Sequence, residues 1–110
     1  MKLPITTFAF CTLLTTFAYA DSFTSVGHKR CDDMSSLAEV IMENRQSGVS
    51  MSKQIQVINA NNPESKRAPY HELISMAYDR PRWSSSERRE EAIADFGDLV
   101  YQGCYKSMTK

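Results

Sequence analysis

Apolar residues recur with a helical period in four stretches of this chain, and the third stretch is the clearest. Its apolar members are Tyr70, Leu73, Ile74, Ala77 and Tyr78. Because they follow one another at i, i+3, i+4, i+7 and i+8, they lie on one face of a helix. Pro69 suits the first turn of this helix, and Pro81 ends it.

Two patterns precede this helix. The first predicts a helix near residues 33–46, which Gly48 ends in a left-handed conformation. Its apolar stripe consists of Met34, Leu37, Ala38 and Ile41. The second predicts a shorter helix, capped by Ser50 and followed by an exposed polar loop over residues 59–68. Its apolar residues are Met51, Ile55 and Ile58.

The last pattern predicts a helix over about residues 85–105. Its inward-facing residues are Ile93, Phe96, Leu99, Val100 and Cys104. Glu91 lies about 140° around this helix from Phe96, so it is predicted to be exposed. Ser84 and Glu87 have the S-x-x-E spacing that caps the start of a helix.

Together these patterns predict an all-α fold, a small bundle of about four helices formed by residues 31–110. No stretch alternates polar and apolar residues as a half-buried strand would, and no glycine-rich hairpin turn occurs. The apolar core is modest, and its burial must offset about 1.5 kcal/mol of ordering entropy per residue. A covalent cross-link would therefore contribute a large share of the stability.

Residues 1–20 carry the pattern of a bacterial signal peptide. A Met-Lys start precedes the uncharged and mostly apolar residues 5–19, and Ala-Tyr-Ala at 18–20 is an A-x-A cleavage site. An N-terminal anchor or a buried helix is the alternative, but the apolar run is short for a membrane span. We therefore predict cleavage, a periplasmic or secreted location, no stable membrane insertion afterwards, and a flexible arm over residues 21–30.

Cleavage changes both the charge and the cysteine count. The full chain has 13 basic and 13 acidic residues, and loss of Lys2 leaves 12 basic residues and a net charge of −1. This balance excludes a generic polyanion binder, and nucleic acid is not an expected partner outside the cytoplasm. Cys11 is also lost, so Cys31 and Cys104 are left to form one disulfide. A redox or metal-binding pair is the alternative, but no C-x-x-C motif occurs.

No motif indicates catalysis, a metal or a cofactor. His71 and Glu72 are adjacent on the third predicted helix, but position 75 is a serine, so the H-E-x-x-H zinc motif is absent. The chain also lacks a G-x-S-x-G sequence and a glycine-rich phosphate loop. We therefore predict no catalytic residue, no metal ligand and no cofactor.

The most distinctive polar feature is the arginine cluster, which we define as Arg80, Arg82, Arg88 and Arg89 around Trp83. Arginine and tryptophan are enriched among the residues that dominate protein interfaces, so the cluster predicts a partner-binding surface. In the alternative, Trp83 plugs one end of the bundle and the arginines pair with nearby glutamates. Those glutamates are Glu87, Glu90 and Glu91.

Three further stretches are distinctive as sequences: MENRQSGVSM at 42–51, AYDRPR at 77–82 and VYQGCYK at 100–106. Together they resemble a group of short exported bacterial and phage-borne helical proteins with a single disulfide. The resemblance implies no activity and brings no catalytic residue. In size and compartment the design is also similar to acid-stress periplasmic chaperones of the HdeA type and to some periplasmic immunity proteins.

The sequence thus leaves three functions open. The preferred one is a non-enzymatic exported protein that recognises another protein, as an inhibitor or an immunity-type module does. The second is an HdeA-like acid-stress chaperone, which would have to loosen at low pH and expose its core. The third is a small hydrolase that uses His71 or Glu72, and it is the least supported because the other catalytic groups are missing.

Overall fold

The computed structural model describes residues 25–109 as four α-helices, and no β-strand occurs within them. The helices are α1 (Ser25–Gln46), α2 (Met51–Asn61), α3 (Ala68–Tyr78) and α4 (Ser86–Met108), and a 3₁₀ turn (Glu64–Lys66) precedes α3. The prediction of a small all-α bundle is confirmed. The signal peptide predicted over residues 1–20 lies outside the described residues, as do the first four residues of the predicted arm.

Helix α1 is longer than the sequence pattern predicts. It begins at Ser25, so residues 25–30 are helical and the prediction of an arm is wrong for them. Their polar sequence has no apolar period that would predict a helix. The helix is held in place by contacts with α4. His28 Nδ1 lies 3.1 Å from the Tyr101 hydroxyl oxygen, and Cys31, one turn further along, is bonded to α4.

The other end of α1 closes with a Schellman motif around Gly48. The Val49 N–H donates to the Asn44 carbonyl oxygen at 3.0 Å, and the Gly48 N–H donates to the Arg45 carbonyl oxygen at 3.1 Å. Gly48 has a φ of +94°, which residues with a side chain rarely adopt. The predicted left-handed stop is confirmed.

Ser50 caps α2 as predicted, with its hydroxyl accepting a backbone N–H of the first turn. The polar loop predicted over residues 59–68 is shorter, because α2 continues into it and the 3₁₀ turn follows. Arg67 donates to the carbonyl oxygens of Asn59 and Asn62 at 2.9 and 2.8 Å. These bonds satisfy carbonyl groups that the end of a helix leaves without partners.

The cap of α4 lies one residue later than predicted. The hydroxyl of Ser85 accepts the Arg88 N–H at 3.2 Å, so the pairing of Ser84 with Glu87 is wrong. Residues 84–86 are all serines, and each offers the same capping hydroxyl. The local sequence therefore does not determine which serine caps α4. The contacts that hold the preceding connection determine it.

Helix α1 is the centre of the fold, because α3 and α4 both pack against it while barely touching one another. The buried apolar residues at this centre are Ala38, Ile41 and Met42 of α1, Leu73, Ile74 and Ala77 of α3, and Phe96 and Val100 of α4. The inward position predicted for Leu99 is wrong. It is 38% exposed because α3 does not cover that side of α4.

Helices α1 and α4 run antiparallel and are joined covalently. Cys31 and Cys104 form the predicted disulfide across 73 residues of sequence. Further along the pair, the Ser35 hydroxyl donates to the Gly97 carbonyl oxygen at 2.9 Å. A Cβ atom on Gly97 would lie 2.7 Å from Glu39 Cγ, so the missing side chain allows Glu39 to lie against α4.

We expect loss of this disulfide to lower the free energy of unfolding by about 4 kcal/mol, the loop-closure entropy that a cross-link of this length removes from the unfolded chain. Urea unfolding of Cys31→Ser/Cys104→Ser and of the wild type measures the difference. Reductant should lower the wild-type midpoint and leave that of the variant unchanged. Equal midpoints for oxidised and reduced wild type would show that the cross-link does not stabilise the fold.

The predicted orientation of α4 is confirmed, because Phe96 is 1% exposed and Glu91 lies at the surface. We expect Phe96→Ala to lower the free energy of unfolding by about 3–5 kcal/mol, since it leaves a cavity in the core. Glu91→Ala should change it by no more than about 0.5 kcal/mol. Thermal unfolding followed by circular dichroism compares the two variants, and equal melting temperatures would contradict this orientation.

Candidate functional site

The predicted arginine cluster lies at the end of the α1–α4 pair opposite the disulfide. The connection between α3 and α4 passes the C-terminal end of α1 and brings the cluster next to Arg45 and Gln46. We call the cluster together with Arg45 the arginine patch. Neither Arg45 nor Gln46 is among the predicted site residues, because each is about 35 residues away from its partner along the chain.

Gln46 holds the connection in place. Its side chain is 1% exposed, and its amide nitrogen donates to the Pro81 carbonyl oxygen at 2.9 Å. Its side-chain oxygen accepts the Trp83 N–H at 2.8 Å, and its backbone oxygen accepts the Nε–H of Arg82 at 3.1 Å. One residue thus fixes three successive residues of the connection.

A signal for Gln46 is present in the sequence. It comes four residues after Met42 and so continues the buried face of α1. A polar side chain on that face must find hydrogen-bond partners, because burying it without them is costly. The same signal marks Gln54 of α2, whose amide nitrogen donates to the Ile41 carbonyl and the Tyr78 hydroxyl at 3.0 and 2.8 Å.

Three arginines of the patch are anchored through their Nε atoms to backbone oxygens. Arg82 bonds to Gln46 as described, and Arg89 donates to the Trp83 carbonyl oxygen at 2.8 Å. Arg45 donates to the Arg80 carbonyl oxygen from Nε at 3.3 Å and from Nη2 at 3.1 Å. These bonds fix the guanidinium groups and leave most of their terminal Nη–H donors for other partners.

The other two arginines lie over aromatic rings. The Cζ atom of Arg88 lies 4.9 Å from the centre of the Trp83 ring, and that of Arg80 lies 5.6 Å from the centre of the Phe96 ring. Trp83 is half-buried, with its backbone bonded to Gln46 on one side and Arg88 stacked on its ring. Trp83 is therefore neither a fully buried plug nor a freely exposed anchor.

None of the carboxylates that the structure describes forms an ion pair with the patch. Within residues 25–109, the one ion pair with nitrogen and oxygen inside 4.0 Å joins Lys29 and Asp33 at 3.2 Å. The alternative prediction, in which the arginines pair with Glu87, Glu90 and Glu91, is therefore not what the structure shows. The guanidinium groups are held by carbonyl oxygens and rings, which carry no net charge.

Gly48 has a second role beside its left-handed conformation. A Cβ atom at this position would lie 2.8 Å from Nη2 of Arg82. The Arg82 guanidinium therefore rests against the turn that ends α1, in space that only glycine leaves free. Helix termination and the position of Arg82 depend on the same residue.

The other sequence features contribute no second site of this kind. His71 Nε2 lies 2.7 Å from Asn59 Oδ1, so this histidine ties α3 to the end of α2. Among the described residues, no three His, Cys, Asp or Glu side chains are grouped as metal ligands would be. None of the helices over residues 25–109 is long and apolar enough to cross a membrane.

An open apolar groove of about 640 Å³ runs between α3 and α4. Arg30 and Met34 of α1 also line it. The apolar side chains along it include Met34, Leu73, Met76, Leu99 and Met108. Methionine side chains adapt to varied apolar surfaces, so the groove is a second surface with binding potential.

Comparison with known proteins adds no relative: no protein-family model, no curated protein and no solved structure matches this chain. The resemblance to short exported bacterial and phage-borne proteins stays a prediction.

We expect Gln46→Leu to lower the free energy of unfolding by about 2–4 kcal/mol, because it leaves the Pro81 carbonyl and the Trp83 N–H without their buried partner. Gln102→Leu, on the exposed side of α4, is the matched control and should have little effect. Urea unfolding measures both. Similar values for the two variants would show that Gln46 does not hold the connection.

Proposed function

We propose that this protein is a non-enzymatic, exported binding protein that recognises another protein through the arginine patch. The observation that carries the proposal is the way in which the five arginines of the patch are held. They are held by carbonyl oxygens and aromatic rings, and no described carboxylate lies within ion-pair distance of them. A surface built in this way retains its charge for a partner.

The energetics of association favour this surface. Long side chains lose conformational freedom when a partner immobilises them, and that loss weakens binding. Arg82 and Arg89 are already bonded at Nε, and Pro81 restricts the backbone between them and α3. Arginine and tryptophan are also the residue types that most often dominate protein interfaces.

An exported location is part of the proposal. It is supported by the Cys31–Cys104 disulfide, since such bonds persist in oxidising compartments, and by the signal-peptide pattern of residues 1–20. A periplasmic or secreted binding module of this size agrees with the immunity-type or inhibitor role that the sequence favours.

The apolar groove between α3 and α4 favours a second candidate, an HdeA-like chaperone that holds apolar segments of other proteins. Such a chaperone needs low pH to loosen its fold. Between described side chains, however, Asp33 is the one carboxylate in an ion pair, and that pair lies at the surface. Protonation would break few native contacts, so we rank this candidate below the arginine patch.

We expect the double variant Arg82→Glu/Arg88→Glu to keep its helicity and melting temperature, within a few degrees, while losing the partner. Charge reversal places carboxylates where the patch presents guanidinium groups, and like charges across an interface are strongly unfavourable. The measurement is retention of a partner from the exported protein fraction on immobilised protein. Affinity for the purified partner is then determined by calorimetry.

The matched control is Lys53→Glu/Lys66→Glu, which makes the same change of charge at exposed positions outside the patch. It should retain the partner with the affinity of the wild type. Equal loss of affinity in both double variants would show that overall charge, and not the patch, determines binding. Unchanged affinity in the patch variant would remove the patch from the binding surface, and loss of folding would assign these arginines to structure.

A further inference from the structure

The arginine patch brings five guanidinium groups to one end of the helix pair. The formal net charge of the full sequence is zero, and five of its 13 basic residues belong to the patch. The remaining chain therefore has more acidic than basic residues. Glu87, Glu90 and Glu91 lie beside the patch along the chain but form no ion pair with its arginines. The guanidinium groups therefore remain available to an acidic partner.

The geometry of Arg82 and Arg89 indicates what kind of anion fits. Each uses its Nε–H on a backbone oxygen, at 3.1 Å for Arg82 and 2.8 Å for Arg89. Each is left with the edge formed by its two Nη groups, which make no other hydrogen bond to the described residues. This edge presents two parallel N–H donors, a fork that matches the two oxygens of a carboxylate.

The two forks belong to one short, rigid piece of chain. Arg82 is bonded to Gln46, which anchors the connection. Arg89 is bonded to the carbonyl oxygen of Trp83, the residue that follows Arg82. Gln46 in turn binds the Trp83 N–H. The relative position of the two forks is therefore set by the fold.

The aromatic ring of the patch argues against a membrane surface as the partner. Proteins that dock on bilayers place exposed apolar or aromatic side chains in the interface beside their basic residues. Trp83 is half-buried, and the Arg88 guanidinium covers one face of its ring at 4.9 Å. The ring supports the arginines and does not extend from the surface.

We propose that the partner segment recognised by the arginine patch is acidic, with Asp or Glu carboxylates bound to the Nη edges of Arg82 and Arg89. This inference rests on the proposed function and specifies the chemistry of its partner. Arg88 and Arg45 add charge around the two forks. Trp83 and Gln46 are positioning residues that hold the forks in place.

The test uses the purified, disulfide-bonded protein and a short fluorescent peptide in which glutamates alternate with serines. Fluorescence anisotropy at low salt gives its dissociation constant, and a peptide with glutamine at every glutamate position is the matched ligand control. We expect binding of the glutamate peptide that weakens as salt rises. The glutamine peptide should bind at least about tenfold more weakly, since charge-assisted bonds are lost.

Variants separate the fork from the charge. Arg82→Gln and Arg89→Gln should each weaken binding of the glutamate peptide by about tenfold or more. Arg82→Lys keeps the charge but removes both the fork and the Nε anchor, so it should also bind more weakly than the wild type. Arg30→Gln, an exposed change one residue before the disulfide, is the control and should bind as the wild type does.

Four outcomes would overturn the inference. They are equal binding of the two peptides, full affinity in Arg82→Gln, full affinity in Arg82→Lys, and binding to vesicles of anionic lipid without binding to the glutamate peptide. If the glutamate peptide fails while Arg82→Glu/Arg88→Glu still loses its partner, the carboxylate assignment is wrong and the proposed function stands. If the peptide binds as described while that double variant keeps its partner, the inference holds and the proposed function is wrong.

Discussion

The antiparallel packing of α1 against α4 is the contact on which the rest of the structure depends. Helices α3 and α4 barely touch, so the core closes only because both lie against α1. Different chemistry fastens the two ends of this pair. A disulfide between Cys31 and Cys104 holds one end, and the buried side chain of Gln46 holds the other through the connection that leads into α4. Core residues such as Phe96 and Met42 pack between these two ends.

Sequence periodicity predicted the helices well where their own apolar stripe buries them. The buried residues of α1 and α3 and the stop at Gly48 follow from local sequence, because spacing and backbone preference are local properties. The predictions are wrong where contacts between residues distant in sequence determine the structure. The start of α1 depends on contacts with Tyr101 and Cys104, far along the chain, and the exposure of Leu99 depends on where α3 lies. Neither arrangement produces an apolar period in the sequence from which it could be predicted.

The candidate site shows the same division between local and distant information. The arginine cluster was visible because its members fall within ten residues of one another, from Arg80 to Arg89. Sequence proximity also suggested glutamates as their partners, whereas the structure gives them backbone oxygens and rings. Those oxygens include that of Gln46 at the end of α1, a residue that only the tertiary fold brings near. A buried glutamine on an apolar helix face was the one available clue, and its partners could not be read from it.

The positions of the arginines relative to the helix ends bear on the binding role proposed for them. A cation near the C-terminal end of a helix is favourable, and Arg45 and Arg82 lie at that end of α1. Arg88 and Arg89 lie in the first turns of α4, where the helix dipole disfavours a cation by about 0.3–1 kcal/mol. Stability alone would favour acidic residues there, and Glu87 is the one acidic residue of that first turn. An anion bound at this end would offset the unfavourable field at the two arginines.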